Sequence, residues 1–249
     1  MAAPTLFGSA VRASVAAGTS LTGTQIFTTV TGLPNGHFAM AWNIENGHEL
    51  VFLGSNGSEV GSSSLDYSIP NGTQAANSSA QIRLAALSDG RIVAGWSNNT
   101  ITPGDAGEAQ WAYFTEADGA SASHTIWASG YQGEVAVAAT VNNRFVMAGV
   151  FDGTLRDAGM IASVTALGAL YNGAVYIGAS PAGVQSHVSV VALASGKSVM
   201  ATTDLATNRI SASLFHPNGN WSSDKFLTDA TEVPTDSEIG RASCRERVS

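Results

Sequence analysis

The sequence predicts an all-β protein, a β-propeller-like array of four-stranded blades, and three observations carry that expectation. A turn signal recurs at Gly36, Gly90, Asn143 and Gly196, which lie 54, 53 and 53 residues apart. The segments around it are short apolar or alternating runs bounded by Gly and Asn, which is the length and punctuation of strands and too short for helices. Only 12% of the 249 residues are charged while 27 are glycine, a balance that disfavours a charge-laced helical bundle and leaves Ser, Thr, Asn and Gln to cover the surface.

The repeat is clearest in LPNGHFAMAW (33–42) and LSDGRIVAGW (87–96), with degenerate copies at 142–147 and 194–200. Asn143 stands where the other copies have glycine, because after glycine it best tolerates a positive φ. Each copy has the same order. Strand A is an apolar run into the turn, as in 82–87 and 135–139, and its Ala85, Ala86, Ala138, Ala139 and Ala192 suit the crowding of innermost strands around a narrow channel. Strand B follows the turn, as in 92–96, and a polar connection of variable length, longest at 97–110, leads to strand C at 111–114 or 210–215. Strand D closes the unit and is clearest at 65–69 and 124–127, where apolar and polar residues alternate.

Four short strands recurring every ~50 residues make a propeller blade, which cannot bury both its faces alone and must stack on neighbours. Tandem immunoglobulin-like sandwiches, the competing all-β arrangement, need about 100 residues per unit, twice the observed period. The repeats fall at about 25–80, 81–133, 134–186 and 187–237, within a propeller-like region 1–238. Residues 6–15 resemble a strand D without its own blade, and Asp236-Ser237-Glu238 sits where a fifth strand A would begin. The expectation is four complete blades and parts of two more, an incomplete array cut from a longer protein.

The final segment, 239–249, reads IGRASCRERVS and holds the one cysteine and three of the nine arginines. It resembles adapter or vector read-through; the other reading is a basic C-terminal peptide. Without it the chain has 8 Lys+Arg and 18 Asp+Glu, a net charge of −10 instead of −8, and no cysteine. Cys244 therefore supports neither a thiol catalyst nor a metal site. The acidic balance is the wrong sign for nucleic acid, and no stretch approaches the ~18–20 apolar residues of a membrane helix, so neither nucleic-acid binding nor membrane insertion is expected.

Gly-x-Ser-x-Gly is absent, and His37, His48, His124, His187 and His216 stand singly, each expected at an exposed strand end or turn. No ligand spacing for zinc exists. The acidic stretches around Asp105 and Glu108, and around Asp152 and Asp157, offer oxygen ligands for a hard cation such as calcium without a fixed ligand pattern, so no cofactor is assigned. Trp42 and Trp96, at equivalent positions, are expected as core wedges between blades. The first residues of the successive strands A are Gln25, Gln81, Glu134, His187 and Glu238, all polar, at intervals of 56, 53, 53 and 51. Strand direction puts them on the same face as the B–C connections, the longest of which carries Asn98, Asn99, Asp105 and Glu108. A ring of amides, carboxylates and imidazole at a channel mouth suits a sugar or a peptide end; solvated strand starts are the plainer alternative.

The repeat resembles the ~50-residue units of very large secreted bacterial adhesins and haemolysin-type proteins of the repeats-in-toxin class. Leu87, Asp89, Gly90, Val93 and Trp96, Leu33, Asn35, Gly36, Phe38 and Trp42, and Phe215, Asn218, Gly219 and Asn220 carry the resemblance. It departs at Gly149 or Val150 and at Thr202, which replace the tryptophan, and the calcium nonapeptide of that class occurs nowhere. The resemblance implies a secreted or cell-surface setting. The expected function is a non-enzymatic adhesion or display module binding carbohydrate or a cell-surface protein on its polar face. The alternatives are a fragment of a propeller glycoside hydrolase or lyase, for which Glu134 and Glu238 are the carboxylates at strand starts, and a purely structural spacer.

Overall fold

The computed structural model describes residues 26–44, 47–66, 82–98, 108–121, 124–127, 134–153, 156–164, 170–177, 185–204, 209–216, 220 and 225–226. These form four antiparallel sheets in chain order. Sheet 1 is β1 (Ile26–Gly32), β2 (Phe38–Ile44), β3 (Gly47–Leu53) and β4 (Glu59–Asp66). Sheet 2 is β5 (Arg83–Ala86), β6 (Ile92–Asn98), β7 (Glu108–Thr115) and β8 (Gly119–Ala120), with β9 (His124–Trp127) also paired to β7. Sheet 3 is β10 (Val135–Thr140), β11 (Arg144–Gly153), β12 (Arg156–Val164) and β13 (Leu170–Ile177). Sheet 4 is β14 (Gln185–Ala192), β15 (Ser198–Asp204), β16 (Arg209–Phe215) and β17 (Lys225–Phe226). Sheets 1, 3 and 4 are meanders of sequential neighbours, the arrangement expected of a blade, while in sheet 2 both β8 and β9 pair with β7. Strand D of the first repeat, expected at 65–69, begins earlier, at Glu59, because β4 pairs along the whole of β3.

One turn is built three times. Gly36, Gly90 and Gly196 have φ of 84°, 89° and 79°, and their N–H groups donate to Leu33, Leu87 and Leu193 at 3.0, 3.1 and 2.9 Å. The residue before two of these glycines explains the motif. The Oδ1 atoms of Asn35 and Asp89 accept the N–H of the residue two further on, His37 at 3.0 Å and Arg91 at 3.1 Å, a side-chain copy of a backbone turn. The third copy reaches the same reversal through Asn142 and Asn143, both left-handed at φ 62° and 54°.

The described hydrophobic core is divided among the spaces between consecutive sheets, with both faces of sheets 2 and 3 contributing to it. Leu33, Leu50 and Phe52 of sheet 1 meet Ile92, Trp96 and Phe114 of sheet 2. Leu87, Val93 and Trp111 of sheet 2 meet Val135, Phe145 and Met147 of sheet 3. Ala136, Val146 and Ala148 of sheet 3 meet Val188, Met200 and Phe215 of sheet 4. Strand alternation divides each set, so that in β6 Ile92, Ala94 and Trp96 lean toward sheet 1 and Val93 toward sheet 3. Gly95 lies where the approach is closest: a Cβ there would sit 2.6 Å from Val137 Cγ1 and 3.3 Å from Met147 Cε. Trp96 is buried between sheets 1 and 2, and its Nε1 donates to Gln110 Oε1, opposite it on β7, at 3.2 Å. At the equivalent pair in sheet 4 the hydroxyls of Thr202 and Ser211 lie 3.0 Å apart and are buried, so a threonine stands there where the first two copies have tryptophan.

The turn ends of neighbouring sheets also clasp one another. Glu116, at the end of sheet 2's third strand, receives His37 Nδ1 at 2.8 Å and Asn35 Nδ2 at 3.2 Å from the first turn of sheet 1. Asn143 Oδ1 accepts the Ser88 hydroxyl and, at 3.0 Å, the Asp89 N–H, tying the turns of sheets 2 and 3. Arg91 pairs with Asp89 at 2.8 Å and lies 4.3 Å from the centre of the Tyr113 ring.

His48 corrects the expectation that every histidine is exposed. It is 1% exposed on β3, with its ring edge-on to Trp96 at 5.8 Å. Burial lowers its pKa from 6.5 to about 3. The unfolded chain thus takes up a proton below about 6.5 that the folded chain refuses until about 3, and stability falls as pH drops through that window. Neighbouring Glu49 works the other way: burial, and then Glu59, raise it above 4.5, so acidification toward that value relieves a cost in the folded state. Thermal melts between about pH 7 and pH 4 should show a falling Tm that flattens in His48→Phe and steepens in Glu49→Gln. An unchanged slope in His48→Phe would assign the acid lability to other groups.

Candidate functional site

The polar groups singled out at strand starts divide into three sets. Gln25, Gln81, Asn99, Asp105 and Glu238 lie outside the described residues. Asn98 and Glu108 were expected in a long B–C loop, but they are the facing residues of the last rung between β6 and β7. The ladder continues past Trp96 through Ser97 and Ala109, so the hairpin is longer and its loop shorter than the composition implied. Glu134 and His187 are brought together: Glu134 Oε1 lies 3.3 Å from His187 Nδ1 although 53 residues separate them.

Local geometry explains the meeting. Glu134 immediately precedes β10, where Ala136 and Ala138 face sheet 4 and Val135 and Val137 face sheet 2. Alternation therefore turns Glu134 toward sheet 4. Val188 and Val190 of β14 face back toward sheet 3, so regular alternation would send His187 away from Glu134. The pairing of β14 with β15 is irregular between Ser186 and Ser189, and His187 within that interval has a left-handed φ of 51°. This bulge aims the imidazole at the carboxylate.

Arg83 joins the pair from sheet 2. It opens β5 on the same side as Ala85 and Leu87, which face sheet 3, and it is partly buried. Burial pulls its guanidinium below the ordinary arginine range, while the Glu134 carboxylate acts in the opposite direction and favours its charge. A guanidinium, a carboxylate and an imidazole thus stand at or near the starts of the first strands of sheets 2, 3 and 4. Glu134 and His187 keep 31% and 43% of their side chains exposed, enough to reach a ligand in solvent. Sequence inspection passed over Arg83 because it sits inside the apolar run Ile82-Arg83-Leu84-Ala85. The available signal was a lone charge on a strand otherwise built of hydrophobic residues.

Together the three groups offer fixed donors on Arg83, an acceptor on Glu134, and an imidazole that donates or accepts. Among the described residues no group of three or more His, Cys, Asp or Glu lies close enough to hold a metal ion. No helix of the described residues is long and apolar enough to cross a membrane.

No family model and no curated protein matches the chain. Among solved structures, a protein of unknown function from Dyadobacter fermentans is similar with a TM-score of 0.56 and 11% identity, over 82% of this chain and 70% of that one. A mutant of NanB sialidase from Streptococcus pneumoniae has a TM-score of 0.49 and 13% identity, over 70% of this chain and 26% of that one. A mutant Aleuria aurantia lectin in complex with alpha-methyl-L-fucoside has a TM-score of 0.49 and 12% identity, over 82% and 61%. At such identities the likeness is one of fold.

A left-handed backbone at a residue other than glycine costs roughly 1–2 kcal/mol, and that cost here serves only to aim a partly exposed ring. Thermal unfolding of His187→Gly should therefore give an equal or slightly higher stability, by no more than about 1 kcal/mol. A loss larger than that would make His187 a structural residue.

Proposed function

We propose that this chain is a non-enzymatic segment of a β-propeller, secreted or displayed at a cell surface in the manner of repeats-in-toxin adhesins, and that it works as an adhesion or display module. Its ligand is carbohydrate, held on the face where the innermost strands begin. The observation that carries this reading is the pairing of Glu134 with His187 across sheets 3 and 4, with the Arg83 guanidinium of sheet 2 within the electrostatic reach of Glu134. Residues distant in sequence meet there only because the sheets are stacked, and one of them adopts an unfavourable backbone to do so.

The chemistry suits a ligand rich in hydroxyls. A sugar ring presents vicinal O–H groups that both donate and accept, and a charged donor beside a charged acceptor matches that pair. Acid–base hydrolysis of a glycoside needs two carboxylates about 5–10 Å apart, whereas the described strand starts present Glu134 beside two cationic or neutral partners.

A glycan panel probed with the purified chain tests the reading. Binding is expected for the unaltered chain, and Glu134→Gln, Arg83→Ala and His187→Ala should each weaken it by about tenfold or more, the loss of one charge-assisted hydrogen bond. Hydrolysis of a panel member that Glu134→Gln abolishes would replace the reading with an enzymatic one. Equal binding by all three variants would place the ligand elsewhere.

A further inference from the structure

Sheets 2 and 4 turn corresponding positions toward the sheet before them, with very different side chains. In sheet 2 these positions hold Ile92, Trp96, Gln110 and Ala112. Their counterparts in sheet 4, set by the same distances from the turn glycine and the same strand pairing, are Ser198, Thr202, Ser211 and Ser213. Met200 and Phe215 share that face by alternation and pack against sheet 3, so the four hydroxyls are turned into the seam between sheets 3 and 4. All four residues are 5% exposed or less. Thr202 and Ser211 pair with each other, whereas the hydroxyls of Ser198 and Ser213 have no hydrogen-bond partner. A buried hydroxyl without a partner is costly, and the isoleucine and alanine of sheet 2 would avoid that cost at the same positions.

The same seam carries the charged pair at its rim. His187 lies between the rungs that pair Ser186 with Thr203 and Ser189 with Ala201, at the level of Thr202 on the neighbouring strand, and its ring meets Glu134 of sheet 3. Inward from Glu134 the wall of sheet 3 is built of Ala136 and Ala138. A carboxylate and an imidazole thus stand over alanines and hydroxyls, whereas Trp96 fills the corresponding place between sheets 1 and 2. We propose that this strip is a specificity subsite of the carbohydrate site, taking the exocyclic hydroxymethyl arm of a hexose between sheets 3 and 4. The subsite rests on the reading of Glu134 and His187 as groups that hold the sugar ring. Its chemistry suits the arm, whose carbon packs on Ala136 and Val188 and whose hydroxyl joins the Thr202–Ser211 pair, since each hydroxyl offers one donor and two acceptor sites. The hydroxyls are closed to solvent, so the arm enters as the two sheets part at the strand-start end, in a minor conformation that the ligand selects.

Calorimetric titration of the full chain with methyl hexosides and their matched 6-deoxyhexosides tests this. A hexoside should bind at least about tenfold more tightly than its 6-deoxy counterpart, which leaves the hydroxyls of the seam unmet. Thr202→Val, which keeps the shape and removes the hydroxyl, and Ser211→Ala should each cut that preference to about threefold or less while leaving the affinity for the 6-deoxyhexoside within about twofold. Thermal melts should show both variants folded. Equal binding of the two sugars by the unaltered chain, a preference that survives both substitutions, or affinities for both sugars that fall together, as loss of a merely structural contact would cause, would each overturn the subsite. In those cases the carbohydrate reading stands if Glu134→Gln still weakens binding. Absence of binding to every glycoside would overturn that reading and the subsite with it.

Discussion

The structure depends on the packing of consecutive sheets face to face. A strand sends successive side chains to opposite faces, and in sheets 2 and 3 both faces contribute to the core. Each of them must therefore be covered twice, and a single blade would leave half its hydrophobic residues in water. Complete burial of a residue such as Ile92 or Phe145 contributes roughly 1.5–3 kcal/mol relative to exposure. The cost of ordering one sheet is recovered only when the next one docks. Some buried polar side chains face a partner, as Gln110 faces Trp96 and Ser211 faces Thr202, whereas Ser97, Ser198, Thr203 and Ser213 are buried with hydroxyls that make no hydrogen bond.

The same stacking creates the polar site and separates it from the turns. One end of each sheet's first strand leads into a reversal, and these reversals hydrogen-bond from sheet to sheet, through Glu116 to Asn35 and His37 and through Asn143 to Ser88 and Asp89. The other end carries Arg83, Glu134 and His187. Alternation aims Glu134 toward sheet 4 without strain, whereas His187 needs a bulge and a left-handed residue to return the gesture. The sheet-to-sheet clasps thus lie at one end of these strands and the Glu134–His187 pair at the other.

Much of this was legible in the sequence, and the reason is the turn chemistry. Gly36, Gly90 and Gly196 occupy conformations that disfavour other residues, and Asn143 adopts the left-handed backbone that its place in the repeat implied. The spacing of those positions fixed the strand order, and the polar strand starts pointed to Glu134 and His187. What stayed hidden was the direction in which each residue points. Strands apolar on both faces show no alternation of polarity, so nothing in the sequence marked His48 for burial against Trp96 or Arg83 for the side facing Glu134. The irregular pairing between Ser186 and Ser189 was equally invisible, because a bulge in a Ser- and Val-rich strand leaves no compositional trace. The extension of β6 and β7 to Asn98 and Glu108 was missed for a related reason: polar residues at a strand end read as loop.

The central claim is that sheets meet through defined pairs of opposed faces, and a double-mutant cycle across sheets 2 and 3 tests it most directly. Gly95→Ala places a methyl 2.6 Å from Val137 Cγ1; overpacking of this kind costs about 1–3 kcal/mol. Val137→Ala removes the atom it strikes. Urea unfolding of the two single variants and the double variant should then show a favourable coupling of about 1 kcal/mol or more, the double variant being more stable than the sum of the single losses allows. Strictly additive losses would mean that Gly95 and Val137 do not face each other, and the stacking of these sheets would be wrong.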